Sequence, residues 1–194
     1  MYYIMGAGIL PTTIHNNKIY FLFGKENEHE ETAPGWSDFG GGKDNSETLL
    51  QTAIREGSEE LTGFLGSPAD VKKLLRYGTF NVTYKFDEEG VNVYRTHIFP
   101  MEYDEKLPYY YNNNAKFLHK RLNTSVIKTT KIFEKIEIKW VSIDDLSRLK
   151  NTFRWYYREI IKDILKNRSE ITEFITKALK KRVGKKARTF KNKM

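Results

Sequence analysis

Three glutamates at helical spacing are the residues of this chain most suited to chemistry. Glu56 and Glu60 lie four residues apart, with Glu59 between them, in a stretch whose apolar residues recur at the period of an α-helix. Like charges on one helix face repel each other, and burial at a core edge strengthens the repulsion. Mg²⁺ would remove this conflict, because it prefers a shell of carboxylate, carbonyl and water oxygens. The spacing therefore predicts a metal site that would bring a phosphate substrate with it.

The residues around this helix follow a longer pattern, GGGKDNSETLLQTAIREGSEELTG, from Gly40 to Gly63. This stretch resembles the Nudix box, G-x5-E-x7-R-E-U-x-E-E-x-G-U, in which U is a bulky apolar residue. The positions in register are Gly41, Glu47, Arg55, Glu56, Glu59 and Glu60. Two positions depart from the pattern, since Gly57 replaces a bulky apolar residue and Gly63 comes one residue late. The alternative, a surface helix with solvated acids, does not explain this register.

The resemblance implies a fold, a reaction and a cofactor. The fold would be the α/β Nudix fold, a mixed β-sheet sandwiched between helices. The reaction would be hydrolysis of a nucleoside diphosphate linked to another group, by water attack at phosphorus. Mg²⁺, or Mn²⁺ in its place, would be held by Glu56, Glu59, Glu60 and the carbonyl oxygen of Gly41. Arg55 would pair with Glu47 and orient these ligands.

Some Nudix enzymes take the general base, or an additional metal ligand, from a loop outside the box. Glu134, six residues before Trp140, is the predicted residue for this role. Glu102 and Glu105 compete with it, because they follow a predicted strand. Each of the three could instead be an ordinary surface acid. His97 lies in a strand pattern and is predicted to be structural.

Aromatic side chains that could stack on a nucleotide base occur on both sides of the box. The predicted substrate-binding residues are Trp36, Phe39 and Tyr109, with Tyr110 and Tyr111 beside the last of these. Two structural alternatives stay open. Trp36 could pack beneath the glycine loop, and the tyrosines could cover an edge of the core.

Hydrophobic alternation and turn residues predict the elements that must position this site. Strands are predicted at 2–10, 18–24, 76–86, 91–101 and 136–142. Helices are predicted at 46–62 with Asn45 or Ser46 as N-cap, at 69–75, at 152–166, and from Ser169 to a stop at Gly184. Residues 102–130 are predicted to be a long loop with a helical turn or more at 116–122, because they contain Pro108 and three consecutive asparagines.

Length and composition limit the possible classes of protein. The 194 residues, 39% of them hydrophobic, are predicted to form a Nudix domain at 1–168 followed by a helix and basic tail at 169–194. Cysteine is absent, which excludes disulfides and fits a reducing, cytoplasmic compartment. No apolar run has the length of a membrane span, and the first residues lack the features of a signal peptide. We therefore expect no membrane association.

The positive charge is concentrated in the tail. Nine Lys and Arg residues and no acid follow Glu173, so subtracting nine from the net charge of +8 leaves −1 for residues 1–173. A basic tail can bind RNA, can serve as a nuclear-import signal, or can simply be solvated. The resemblance implies a small nucleotide-type diphosphate as substrate. The alternatives are a hydrolase that removes the cap from mRNA and binds RNA through this tail, and a non-catalytic Nudix-fold binding module.

Overall fold

Seven strands form one mixed β-sheet in a computed structural model of the chain. The structure describes residues 5–27, 34–130 and 132–191, and their side chains as far as Arg182 except that of Lys128. The strands are β1 (Met5–His15), β2 (Lys18–Glu26), β3 (Trp36–Ser37), β4 (Phe39–Gly42), β5 (Phe80–Lys85), β6 (Val93–Pro100) and β7 (Lys135–Ser142). The predicted mixed sheet is confirmed, since β6 is parallel to β1 and the other strand pairs are antiparallel.

The long strand β1 organises the sheet because it has different partners along its length. Its second half, from Thr12 to His15, pairs with β2, whereas its first half, from Gly6 to Ile9, pairs with β4. On its other side β6 runs along almost the whole strand, and β5 closes that edge. The glycine-rich strand β4 is thereby paired with the first half of the central strand β1.

Helices cover both faces of the sheet. They are α1 (Leu49–Glu60), α2 (Pro68–Leu74), α3 (Lys106–Arg121), α4 (Thr124–Thr130), α5 (Leu146–Leu149), α6 (Tyr157–Lys166) and α7 (Arg168–Lys191). Successive side chains of β2 point to opposite faces of the sheet. Phe21 and Phe23 pack in the hydrophobic cluster under α6 and α7, whereas Leu22 packs in the cluster under α1 and α3. This arrangement is the predicted sandwich of a sheet between helices.

Helix α1 lies directly on β1, and this explains one departure from the Nudix pattern. A β-carbon on Gly57 would lie 2.3 Å from the Cδ1 atom of Ile9, so the Ile9 side chain fills the space that a larger residue would need. Gly57 costs about 1 kcal/mol of helix propensity relative to alanine. The close approach of helix and strand offsets that cost through burial of Ile9.

The second departure lies at the C-terminal end of α1. Thr62, at the position where the pattern has glycine, adopts a φ of 50°, in the left-handed region that glycine favours, and Gly63 follows with a φ of 74°. A β-branched residue in that region costs on the order of 1–2 kcal/mol. The turn geometry is therefore retained although the glycine is displaced by one residue.

Three predicted helices were placed wrongly. Helix α1 begins at Leu49, because Thr48 and not Asn45 or Ser46 is its N-cap, in a capping box with Gln51. Helix α6 begins at Tyr157, so exposed Trp155 precedes it. Helix α7 does not stop at Gly184 but continues to Lys191, since one glycine weakens a helix without ending it.

The predicted loop at 102–130 is also wrong, because most of it is the helix α3 followed by α4. Pro108 lies in the first turn of α3, where a missing N–H costs nothing. Leu107, Tyr111 and Ala115, at spacings of four residues, form the buried stripe that holds the helix on the sheet.

Residues 28–33, between β2 and β3, lie outside the described residues. Among the helices that the structure describes, none is long and apolar enough to cross a membrane.

Candidate active site

A cavity of about 430 Å³ lies beside the outer face of α1. It is lined by Arg55, Glu56, Glu59, Thr62, Thr130, Ile132 and Glu134. Three of the predicted carboxylates, Glu56, Glu59 and Glu134, therefore face one space, although Glu134 is more than seventy residues from the box in sequence. Two come from α1 and the third directly precedes β7, which pairs with β2. The sheet brings these carboxylates together.

The predicted ion pair of Arg55 with Glu47 is present, and it is part of a larger network. Arg55 donates from Nε to Oε1 of Glu47 at 2.8 Å, and this hydrogen bond lowers the pKa of Glu47 to about 2. Its Nη2 donates to the carbonyl oxygen of Gly42 at 3.0 Å. Its Nη1 donates to Glu56 at 2.7 Å and to Glu59 at 3.2 Å. One guanidinium thus links the glycine strand to the carboxylates of the cavity.

Glu56 is the most constrained of these carboxylates. Burial raises its pKa, Arg55 counteracts the rise, and the charges of Glu59 and Glu134 add to it. A β-carbon on Gly41 would lie 2.6 Å from the carboxyl carbon of Glu56. Glycine at position 41 therefore allows the carboxylate to approach the backbone of β4. Whether the Gly41 carbonyl oxygen binds a metal stays a prediction.

Glu60 does not line the cavity, and this corrects the expectation that all three box glutamates share one space. Its Oε2 accepts a hydrogen bond from the Gly40 N–H at 2.7 Å, and its Oε1 lies 3.1 Å from the Lys135 ammonium. Lys135 also donates to Glu26, which in turn pairs with Arg154 at 2.7 Å. Burial opposes the charged form of Lys135, but Glu60 and Glu26 outweigh it and hold the pKa of the ammonium above its usual range.

Lys135 is thus a site residue that sequence reasoning missed. It opens β7 in the run KIEIKWVS, where a lysine in an alternating strand normally indicates the solvent face. Its side chain is instead completely buried. The one feature of the sequence that pointed to Lys135 was its position directly after Glu134. This position does not show whether the lysine is buried or exposed.

A second buried network supports the glycine strand from below. The Asp38 carboxylate accepts hydrogen bonds from the Tyr94 hydroxyl and the Thr96 hydroxyl, each at 2.7 Å. Burial raises the pKa of Asp38 to about 6. A β-carbon on Gly8 would lie 2.7 Å from this carboxylate, so the glycine in β1 makes room for it. No sequence pattern indicated this network.

The competing acids lie elsewhere. Glu102 lines a different cavity together with Arg182, 3.8 Å away, and exposed Glu105 immediately precedes α3. His97 is buried in β6, where burial lowers its pKa to about 4, in agreement with a structural role. Of the candidate bases outside the box, Glu134 is the one that shares the cavity with Glu56.

Two of the three predicted base-stacking residues belong to the core instead. Phe39 is fully buried under α1, and Trp36 is buried with the Lys139 ammonium 3.9 Å from its ring centroid. Neither ring offers a free face to a base. Tyr109 is 65% exposed on α3, and its neighbour Tyr110 is 52% exposed. Tyr111 is buried, so the tyrosine run serves both the core edge and the surface.

The chemistry of the donor set fits a divalent cation, since Glu56, Glu59 and Glu134 offer hard oxygen ligands around one cavity. Among the described residues, no three His, Cys, Asp or Glu side chains converge closely enough to hold an ion. The reason is visible in the ion pairs, because Arg55 holds Glu56 and Glu59 while Lys135 holds Glu60. In this structure cationic side chains therefore neutralise the box carboxylates.

Comparison with solved structures identifies the fold. The structure resembles a bifunctional NMN adenylyltransferase/ADP ribose pyrophosphatase from Francisella tularensis, complexed with AMP and a manganese ion, with a TM-score of 0.53 and 18% identity over 86% of this chain and 42% of that one. It also resembles a C. elegans Ap4A hydrolase, with a TM-score of 0.51 and 17% identity over 88% of this chain and 98% of that one. The chain has the Nudix fold.

Sequence comparison adds little to this. No protein-family model matches the chain. An uncharacterized protein of Acanthamoeba polyphaga mimivirus is 48% identical over 56 residues, which are 28% of this chain and 18% of the mimivirus protein. The chain thus corresponds to under half of the Francisella enzyme and matches under a fifth of the viral protein.

Proposed function

We propose that this chain is a Mg²⁺-dependent Nudix hydrolase that cleaves a nucleoside diphosphate linked to another group. The observation that carries the proposal is the convergence of Glu56, Glu59 and Glu134 on one cavity, with Arg55 fixing the first two. The fold is compatible with it, and the solved relatives of this fold include an ADP ribose pyrophosphatase and an Ap4A hydrolase.

Glu56, Glu59 and the Gly41 carbonyl oxygen are the proposed metal ligands. Mg²⁺, when bound, would neutralise charge on the diphosphate and make hydroxide accessible near neutral pH. Glu134 is the proposed acceptor of the proton from the attacking water, because it lines the same cavity as Glu56 and Glu59. Arg55 and Glu47 hold the ligands in position, since their ion pair connects α1 to the segment that precedes it.

Glu60 has a different proposed role. Its carboxylate joins the C-terminal end of α1 to the backbone of Gly40 and is neutralised by Lys135. We assign it to positioning the glycine strand against α1, rather than to the ligand set that the Nudix pattern implies. Lys135 is then the residue that replaces a metal at this carboxylate.

The substrate is proposed to be a small nucleotide-type diphosphate. The cavity, at about 430 Å³, has the volume of a typical small-molecule site. The mRNA-decapping alternative was predicted from the basic tail, but Lys185, Lys186, Arg188, Lys191 and Lys193 have side chains outside the described residues. The non-catalytic alternative is disfavoured because every box carboxylate is retained.

A hydrolysis panel tests the proposal. Purified full chain is incubated with ADP-ribose, dinucleoside polyphosphates, nucleotide sugars, coenzymes, inositol pyrophosphates and capped RNA, with Mg²⁺ or with excess chelator. We expect Mg²⁺-dependent cleavage of at least one nucleoside diphosphate derivative. Mg²⁺-dependent release of the cap alone would establish the decapping alternative. Binding of a nucleotide without any turnover would establish the binding module and refute the proposed hydrolase.

A further inference from the structure

A surface on helix α3 has an unusual combination of side chains that the candidate active site does not use. No Asp or Glu occurs from Lys106 to Phe133, whereas six Lys and Arg residues do: Lys106, Lys116, Lys120, Arg121, Lys128 and Lys131. Because residues 1–173 together carry a net charge of −1, this segment is a local positive region in an otherwise nearly neutral body. Such asymmetry favours an anionic partner.

Helix α3 has one buried and one exposed face. Its buried face holds Leu107, Tyr111 and Ala115 against the sheet. Its exposed face presents three aromatic rings: Tyr109 is 65%, Tyr110 52% and Phe117 59% exposed. Large apolar side chains are rarely this exposed in a group, and when they cluster they indicate a binding surface.

The aromatic rings alternate with positive charges on that face. Lys116, Lys120 and Arg121 are exposed, and seven-residue spacing puts Tyr109 above Lys116 and Tyr110 above Phe117. The Arg121 guanidinium lies 5.8 Å from the ring centroid of Phe117. Within the described part of the chain, none of these three cations forms an ion pair with a carboxylate. Their charges are thus available to an external anion.

We propose that this α3 surface, formed by Tyr109, Tyr110, Lys116, Phe117, Lys120 and Arg121, binds single-stranded nucleic acid. Aromatic faces stack on unpaired bases, and interspersed cations contact the phosphates, which is the combination that single strands require. An acidic protein would use the cations but would not need three adjacent exposed rings. A duplex hides its base faces and would not use the rings.

The position of the surface connects it to the candidate active site. On the opposite side of α3, the Tyr111 hydroxyl donates to the backbone carbonyl oxygen of Glu60 at 2.8 Å. The acid-free segment continues to Thr130 and Ile132, which line the cavity. Helix α3 and the segment after it therefore contact the candidate site on one side, while the α3 face with the exposed rings is directed away from Glu60. The binding itself does not depend on hydrolysis, so it can be tested without metal.

The experiment measures the fluorescence anisotropy of labelled oligo(U), oligo(dT) and a duplex RNA, each about 20 nucleotides long, as the full chain is added in a buffer that contains chelator. The first variant combines Tyr109→Ala, Tyr110→Ala and Phe117→Ala, and the second combines Lys116→Gln, Lys120→Gln and Arg121→Gln. The exposed Trp155→Ala and a Lys72→Gln/Lys73→Gln pair are the matched controls on other surfaces. All variants keep the basic tail, so any binding through the tail is the same in each.

We expect the aromatic variant to bind both single strands at least about tenfold more weakly, because stacking contributes to each bound base. The charge variant should reduce the slope of log affinity against log salt by about 2, from three lost single-strand contacts. Both control variants should bind the oligonucleotides with the affinity of the parent chain. The ratio of oligo(U) to oligo(dT) affinity distinguishes RNA from single-stranded DNA as the natural ligand. Unchanged affinity and slope in both variants would overturn the proposal, as would equal losses on the duplex. A surface that instead joins two copies of the chain would show as a change in sedimentation without a change in RNA affinity.

Discussion

The ammonium nitrogen of Lys135 lies 3.1 Å from Oε1 of Glu60, and the two side chains are 0% and 5% exposed. This ion pair, together with Glu26 and Arg154, neutralises charge in the interior directly beneath the glycine strand. It explains how a box glutamate can be buried without a metal. It also indicates that Glu60 stabilises the structure, whereas Glu56 has the proposed role in the reaction.

The pair predicts strong coupling between the two residues. Lys135→Met should lower the free energy of unfolding by about 3–5 kcal/mol, because it leaves a buried carboxylate uncompensated. Adding Glu60→Gln should recover at least half of that loss, since the internal charges then balance again. Urea denaturation at pH 7 measures both, with Lys73→Met in an exposed pair as the control expected within about 1 kcal/mol of the parent. Additive effects of the two substitutions would contradict the coupling.

Glu56 and Glu60 should differ in their effect on metal binding. Glu56→Gln should abolish Mn²⁺ binding measured by electron paramagnetic resonance, with little change in the urea midpoint, because it removes a ligand from a crowded cluster. Glu60→Gln should lower the urea midpoint and leave the number of bound Mn²⁺ ions unchanged, since Lys135 holds this carboxylate. Loss of a bound ion in Glu60→Gln would restore Glu60 to the ligand set implied by the Nudix pattern.

Gly41 and Gly42, neighbours in β4, provide a test variant and its matched control. A β-carbon on Gly41 would lie 2.6 Å from the Glu56 carboxyl group, whereas one on Gly42 would meet nothing within 4 Å. Gly41→Ala should therefore displace Glu56 and reduce kcat/KM by about 100-fold, the scale of a misplacement of about 1 Å. Gly42→Ala should stay near the parent value. Steady-state kinetics on the best substrate would refute this if both variants behaved alike.

Asp38 predicts a pH dependence of stability. Burial raises the pKa of this carboxyl to about 6 in the folded state. A raised carboxyl pKa contributes stability that is fully present below the unfolded value, near 4, and is lost as pH rises through 6. The shift of about two pKa units corresponds to about 3 kcal/mol.

The test compares unfolding free energies of the parent chain and Asp38→Asn from pH 4 to 7. The asparagine retains an acceptor for Tyr94 but cannot ionise. The advantage of the parent chain over the variant should shrink by up to about 3 kcal/mol across this range. A difference that does not change with pH would show that Asp38 titrates normally.

Much of the candidate site followed from the sequence because it is local. The register of Glu47, Arg55, Glu56 and Glu59 along one helix determines which side chains meet, and the Arg55 pairs agree with that register. The turn between β1 and β2 follows local rules as well, since asparagine suits the positive φ angles at Asn16 and Asn17. Local rules were sufficient for these features.

Long-range packing was not readable in the same way. Lys135 meets Glu60 across 75 positions, and only the sheet determines that its side chain points inward. Helix α3 was missed because Pro108 and three consecutive asparagines favour a loop locally, whereas its buried stripe becomes evident only once the helix packs on β7. Phe39 was assigned to the substrate because its position near the glycines gives no information about burial.

Turnover of the best panel substrate in H₂¹⁸O, with Mg²⁺, by the parent chain and by Glu56→Gln tests directly whether this cavity is a hydrolytic site. We expect the parent chain to release a phosphate product carrying one ¹⁸O atom, detected by mass spectrometry, because water attacks phosphorus. Glu56→Gln should be at least about 1,000-fold slower, while its circular dichroism and urea midpoint match the parent. Wild-type turnover by Glu56→Gln, or no ¹⁸O in any phosphate product, would contradict the assignment of this cavity as a hydrolytic site.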